Sequence, residues 1–318
     1  MEKLDFIEKG RIHYKENVLL AELTGKNQSG SLSLVLYPED EDSLIEIVTE
    51  CRSRNLSYDI FGGLSNTYLA SSFLRDVVII TTHMREIITK DNSVVVACGY
   101  NLTKLSRELS AKGITGYEGF IGIPGTVGAA AINNSGAFRS SMEKVVKRVK
   151  VFDSNGQIKV IEHSELKYGV RTSCLKSLHE YIVLSVELDI SDRKLQGEID
   201  KTIEEQTKYR KKYIDGKHKS LGSVFSAYTI RELYERHQLA MNTKKIINQP
   251  LKWIFHSKRL NTWMDFLFLG VPHLAKHCDS MNRFVWKETT KEQDFFHYIE
   301  IMQRLADNKL ELEVEIRR

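Results

Sequence analysis

Two stretches of this chain carry residue types suited to binding chemistry. Tyr58-Asp59-Ile60-Phe61 reads as a short strand that empties into Gly62-Gly63-Leu64-Ser65-Asn66. Successive backbone N–H groups in such a turn can gather around an anion. The second stretch, Gly119 to Phe138, holds five glycines and four alanines in twenty residues and no charge. Small residues let another surface approach the backbone closely, and Asn133, Asn134 and Ser135 add short hydrogen-bonding groups to that wall. Two readings stand side by side. The segment is either a buried packing seam or a wall against a flat, polar-edged cofactor. The familiar nucleotide fingerprints are missing, with no GxGxxG opening a helix and no GxxxxGK followed by Ser or Thr.

The elements that must position these stretches are short. Leu32 to Tyr37 reads as a strand ended by Pro38, and the acidic run Glu39 to Asp42 suits a helix N-terminus. Leu44, Ile45, Val48 and Cys51 follow helical spacing. Val77 to Ile80 and Val94 to Ala97 read as buried strands. Asn101 is a plausible N-cap for a helix presenting Leu102, Leu105 and Leu109, with Gly113 beyond its end. Val145 to Phe152 and Gln157 to Ile161 flank Asp153-Ser154-Asn155-Gly156, whose Asn-Gly suits a hairpin turn. Tyr181 to Ile190 is a further strand, and Arg193 to Tyr213 a charged helix read as a solvated surface or connector. Ile230 to Ala240 and Gln293 to Ala306 read as helices. Leu310 to Ile316 alternates and reads as a strand. Alternating short strands and helices indicate an α+β architecture. A domain boundary is expected at Asp215-Gly216, separating 1–215, itself split near 85–90, from 216–318.

The 318 residues are 42% hydrophobic and 28% charged, as in ordinary globular proteins. A formal net charge of +4 is too mild and diffuse for nucleic acid but compatible with an anionic small substrate. No apolar run approaches the ~18 residues that cross a bilayer, and the charged start Met1 to Asp5 predicts no signal peptide. Cys51, Cys98, Cys174 and Cys278 form no CxxC pair, so reduced thiols and a cytoplasmic location are expected. His273 and His277 have zinc-helix spacing but no accompanying glutamate motif, and no metal site is expected.

Taken in order, these stretches resemble the UDP-N-acetylenolpyruvoylglucosamine reductase family, flavoenzymes that make UDP-N-acetylmuramate for peptidoglycan. Gly119 to Phe138 is similar to the family's GIPGTxGGAxxxNxGAY signature. Gly62 to Asn66 resembles its GGGSN phosphate loop, with Leu64 in place of a glycine. Tyr168-Gly169-Val170-Arg171-Thr172-Ser173 resembles FGYRTS, Gly222-Ser223-Val224-Phe225 resembles GSVF or GSFF, and Leu310 to Val314 resembles LEPEV. The resemblance spans about Leu20 to Ile316.

It implies a two-part FAD-binding domain of the vanillyl-alcohol oxidase type followed by a smaller α/β substrate domain. FAD would be held by Phe61, Gly62, Gly63, Leu64, Ser65, Asn66, Gly122, Ile123, Pro124, Gly125, Thr126, Gly128, Asn133, Ser135 and Gly136. No histidine lies in the phosphate loop, so attachment is expected to be noncovalent. NADPH would be the hydride donor and a UDP-sugar the substrate, in a monomer or weak homo-oligomer without a membrane or nucleic-acid partner. The short passage from Lys176 to Tyr181 suggests the form of the family without an extra substrate-covering loop.

The catalytic residues implied are Arg171, Ser223 and Glu313. A guanidinium suits the substrate carboxylate. Ser223 would donate a proton to the enolate carbon. Glu313 could donate to the carboxylate only if protonated. Three departures bear on the substrate. Val170 stands where the family has tyrosine, Phe225-Ser226-Ala227-Tyr228 replaces FKNP, and the GAYG end becomes Gly136-Ala137-Phe138-Arg139. Lys217, Lys219 or an ordered water would then take the place of the missing lysine. Two alternatives therefore remain: a flavoprotein oxidoreductase on another nucleotide sugar in surface-polysaccharide synthesis, and a catalytically inactive relative that binds one.

Overall fold

The computed structural model describes residues 12–178, 180–213, 218–254 and 258–318. Asp215-Gly216, Lys217 and the Met1 to Asp5 start lie outside the described residues. The chain divides into two compact units, each assembled from separate segments. The first comprises Met1–Val18, Leu32–Leu64 and Arg75–Lys212, and the second Leu19–Ser31, Ser65–Leu74 and Tyr213–Arg318. Each has its own apolar core. Both mix helix and strand, so the α+β expectation holds.

Two sheets build the first unit. One runs in the order His13–Leu19, Ser31–Tyr37, Val77–Ile80 and Tyr58–Phe61. Its last three strands are parallel, and parallel strands need a crossover. The helix Glu41–Ser53 supplies one, and its start is fixed by local chemistry. Asp40 caps it by accepting from the Ser43 N–H at 2.8 Å, and the Ser43 hydroxyl lies 3.2 Å from the Asp40 N–H. Leu44, Ile47, Val48 and Cys51 form its buried face.

The second sheet is antiparallel, in the order Ile158–Glu162, Val146–Phe152, Ile182–Asp189, Ser93–Ala97 and Ile87–Thr89. Its hairpin turns on Asp153, whose carboxylate accepts from the N–H groups of Asn155 and Gln157, while Gly156 takes φ +78°. Val149 and Val151 are fully buried opposite Ile161, Val186 and Val183.

The second unit packs helices Ala227–Arg236, Gln238–Ile254, Lys258–Phe268 and Glu292–Leu305 with a small sheet of Lys219–Ser220, Arg283–Trp286 and Cys278–Ser280. The helix expected over Ile230 to Ala240 breaks at His237, which caps the first of these helices and donates through its Nε2–H to Leu305 O at 3.0 Å. The strand expected over Leu310 to Ile316 is also shorter. Only Glu315–Arg317 enters a ladder, parallel to Thr67–Leu69. Upstream, Leu310 and Val314 are buried while Leu312 is 44% exposed. That extended segment is held by single bonds to the chain after Ser223 and to Asn66, and only part of its apolar pattern is covered. Among the described residues no helix is long and apolar enough to cross a membrane.

Candidate active site

The parallel strand ending at Phe61, paired with Ile80, delivers the chain to Gly62. A Cβ on Gly62 would come 2.5 Å from Thr126 Oγ1, and one on Gly63 3.8 Å from Gly125 Cα. The glycine turn and the Gly119 to Phe138 stretch therefore lie edge to edge, backbone against backbone. Leu64 sits at φ +50°, the left-handed region that glycine enters without steric cost. Among the described residues, neither the Gly63 nor the Leu64 N–H donates to a protein acceptor. Two adjacent free donors at a strand end are the nest an anion requires.

The small-residue stretch divides its work. Gly122 and Gly125 take φ +84° and +119°, carrying the chain around Ile123 and Pro124 to Thr126. The Thr126 hydroxyl then caps the short helix Val127–Ile132. Thr103 braces this turn, donating to Ile123 O at 2.9 Å and accepting from the Gly122 N–H at 3.1 Å. Other glycines serve close packing. A Cβ on Gly128 would meet Cys98 Cβ at 2.7 Å, one on Gly119 would meet Ala137 O at 2.2 Å, and one on Gly136 would meet Ser140 O at 2.1 Å. The packing-seam reading therefore describes Gly119, Gly128 and Gly136. Asn133 donates to Ala129 O, and the Ser135 N–H to Ala130 O, closing the helix end.

Arg171 belongs to the same unit. Its turn is a tight one, with Gly169 bridged to Thr172 and Arg171 at φ +56°. Three bonds fasten that turn to the small-residue stretch. Asn134 donates to Gly169 O at 2.8 Å, Ser173 to Ile132 O at 2.7 Å, and Arg171 Nη1 to Gly136 O at 3.2 Å. Arg171 and Val170 are both exposed, Val170 at 88%.

Sequence reasoning misses Arg210. It comes from the charged helix Gln196–Tyr213, expected to be a solvated surface or connector. Its Nη2 donates to Gly119 O at 3.2 Å, and its guanidinium lies 5.2 Å from the centre of the Phe138 ring. Burial works against its charge, and its Nε is buried without a hydrogen-bond partner. The signal the sequence offers is slight, an arginine in the last turn of a helix that precedes a Gly-Ser motif.

Ser223 and Glu313 lie in the second unit, where the structure brings them together. The Glu313 N–H donates to Val224 O at 2.9 Å, the Val224 N–H donates to Asn282 O at 2.9 Å, and Phe225 bridges Leu312. Gly222 takes φ +83° with open space around it, leaving Ser223 exposed. Glu313 is half-buried, between exposed Leu312 and buried Val314. Its carbonyl accepts from Asn66 Nδ2 at 2.9 Å, and the Glu315 N–H donates to Asn66 O at 2.9 Å. Ser65 and Asn66 thus belong to the second unit, although Gly62 to Leu64 belong to the first.

Open backbone at Gly63, free N–H donors beside it and an uncharged small-residue wall fit a dinucleotide cofactor with a pyrophosphate centre. The fold and this site define a flavoprotein oxidoreductase that uses FAD. The profile of the FAD binding domain family matches residues 32–162. The UDP-N-acetylenolpyruvoylglucosamine reductase of Enterococcus faecalis is 31% identical over 206 residues, 65% of this chain and 68% of that protein. The protein of the same name from Clostridium botulinum strain Eklund 17B is 26% identical over 290 residues, 91% of this chain and 87% of that one. Among solved structures, the enzyme of that name from Thermus caldophilus superposes with a TM-score of 0.66 at 23% identity, covering 97% of this chain and 99% of its own. The chain belongs to the UDP-N-acetylenolpyruvoylglucosamine reductase family.

Proposed function

We propose that this protein reduces UDP-N-acetylglucosamine enolpyruvate to UDP-N-acetylmuramate for peptidoglycan synthesis, with NADPH as hydride donor. In this reading the glycine turn after Phe61 and the Gly119 to Phe138 stretch hold FAD, and the second unit holds the nucleotide sugar. The observation that carries it is the pairing of Ser223 with Glu313, far apart in sequence yet fixed on neighbouring backbones by the Glu313-to-Val224 bond.

Phe61, Gly62, Gly63, Leu64, Ser65 and Asn66 would hold the pyrophosphate. Gly122 to Gly128 with Asn133, Ser135 and Gly136 would line the remainder of FAD. The bound flavin supplies hydride transfer. Arg171 would neutralise the substrate carboxylate as charge builds on the adjoining carbon. Ser223 would give its proton to that carbon, and Glu313, protonated, would donate to the carboxylate. Arg210 would add a fixed positive charge beside the cofactor wall. The test is to reduce the bound flavin without oxygen and add the enolpyruvyl nucleotide sugar. Rapid return of the oxidised flavin spectrum supports the reading, and no return retires it.

The exposed Val170, standing where the family has a tyrosine, favours a second reading, a nucleotide-sugar binder without turnover. That reading requires a UDP-sugar to bind in calorimetry while nicotinamide leaves the flavin oxidised.

A further inference from the structure

The second unit contains a positive charge that no acidic group among the described residues balances. Lys26 follows the short helix Leu20–Thr24 and is only 5% exposed. Among the described residues no carboxylate pairs with it. The loop cannot easily swing it into water, because the two residues that follow it are tied down. Asn27 donates to the carbonyls of Glu288 and Thr290 at 2.8 and 3.1 Å, and Gln28 donates to Leu69 O at 2.8 Å. A buried, unpaired ammonium is costly, and here a second lysine adds to the cost. Lys219 lies across the preceding residue, since a Cβ on Gly25 would come 3.4 Å from Lys219 Cε and 3.7 Å from its Nζ.

Lys219 stands opposite Trp286 in the antiparallel pair, so their side chains share one face. Trp286 is 4% exposed, and its indole Nε1 has no hydrogen-bond partner. Two ammoniums and an orphaned N–H are all donors, and among the described residues no side-chain acceptor is set against them. Burial first, and the charge of Lys219 second, lower the Lys26 pKa to about 8, which still leaves it mostly charged at neutral pH. A ligand with two negative charges and several oxygens would satisfy every one of these groups.

We propose that Lys26, Lys219 and the indole N–H of Trp286 form an anion site in the second unit that takes a phosphate group, either on a nucleotide ligand or as free pyrophosphate. The site stands on its donors alone and does not depend on the reductase reading.

The experiment titrates inorganic pyrophosphate, and separately UDP, into the flavin-loaded full chain by calorimetry. Lys26→Met is expected to weaken pyrophosphate binding by at least ~10-fold, as loss of a charge-assisted contact does. The same variant should unfold at an equal or higher temperature than the parent without anion and lose the rise that pyrophosphate gives the parent. Lys219→Met, at an exposed position, provides the second arm if Lys26→Met does not fold, and should weaken binding in the same direction. UDP that competes with pyrophosphate and weakens in parallel identifies a nucleotide as the source. Loss of pyrophosphate binding with UDP unaffected identifies the free anion. Unchanged affinity in the lysine variants, or no binding of either probe to the parent at about 10 mM, overturns the site.

Discussion

Asn282 holds Phe225 from both sides of its peptide. Its Oδ1 accepts from the Phe225 N–H at 2.8 Å, and its Nδ2 donates to the Phe225 carbonyl at 2.7 Å. A reciprocal amide contact of this kind fixes both position and orientation, two residues after Ser223. Asn282→Ala would leave both Phe225 groups without partners, a loss of about 1–3 kcal/mol. Urea unfolding should show that decrease, and turnover should fall roughly tenfold with flavin content unchanged, because the serine is loosened rather than removed.

Leu64 shows how a side chain survives where the family has glycine. Its left-handed backbone costs about 1–2 kcal/mol, while its side chain, 6% exposed, recovers about 2 kcal/mol by burial. Leu64→Gly therefore removes strain and packing together. The expected outcome is a net stability change within about 1 kcal/mol, read by thermal unfolding, with flavin still bound.

Arg210→Met should act on the cofactor rather than on the fold. It removes the donor to Gly119 O and the guanidinium over Phe138 but keeps an apolar stem. Flavin affinity, measured by fluorescence recovery on dilution, should fall by about 10-fold, and Arg210→Lys should recover only part of it because a point charge lacks the planar fork.

How much of the fold and site is legible in the sequence depends on how local the signal is. Glycine at Gly62, Gly122 and Gly125 encodes bare backbone or positive φ, so both loops can be read from residue types alone. Asp40, Asn101 and Asp153 likewise act on residues within four positions. Arg210 is not legible, because its target is chosen by the path of the chain after residue 190. Nor does the composition of Leu19–Ser31 or Ser65–Leu74 signal that they pack in the second unit. Distant contacts decide that, such as Gln28 with Leu69 and Thr67–Leu69 with Glu315–Arg317. The Leu-Glu alternation after Leu310 reports burial of Leu310 and Val314 but not of Leu312, and overstates ladder pairing. Helices Gln238–Ile254 and Lys258–Phe268 escape notice because exposed Leu239, Ile246 and Trp263 blur their apolar stripes.

Glu187 predicts the acid limb of stability in the first unit. Burial opposes its ionisation, but Arg148 at 2.7 Å and Ser93 at 2.7 Å outweigh burial and hold its pKa at about 2, below the ordinary 4.5. A depressed carboxyl contributes stability that is fully present above about pH 4.5 and is lost as pH falls towards 2. Glu187→Gln should cost about 1–2 kcal/mol at neutral pH, discounted for the half-exposed Arg148, and should flatten the unfolding curve between those two pH values.

The most direct test of the account times the two half-reactions of Ser223→Ala separately in an oxygen-free stopped-flow instrument. If Ser223 delivers the proton, reduction of the flavin by NADPH keeps its rate. Reoxidation by UDP-N-acetylglucosamine enolpyruvate should then slow by at least ~10²-fold, the low end for loss of a general acid. Equal rates of reoxidation in the variant and the parent would contradict the account.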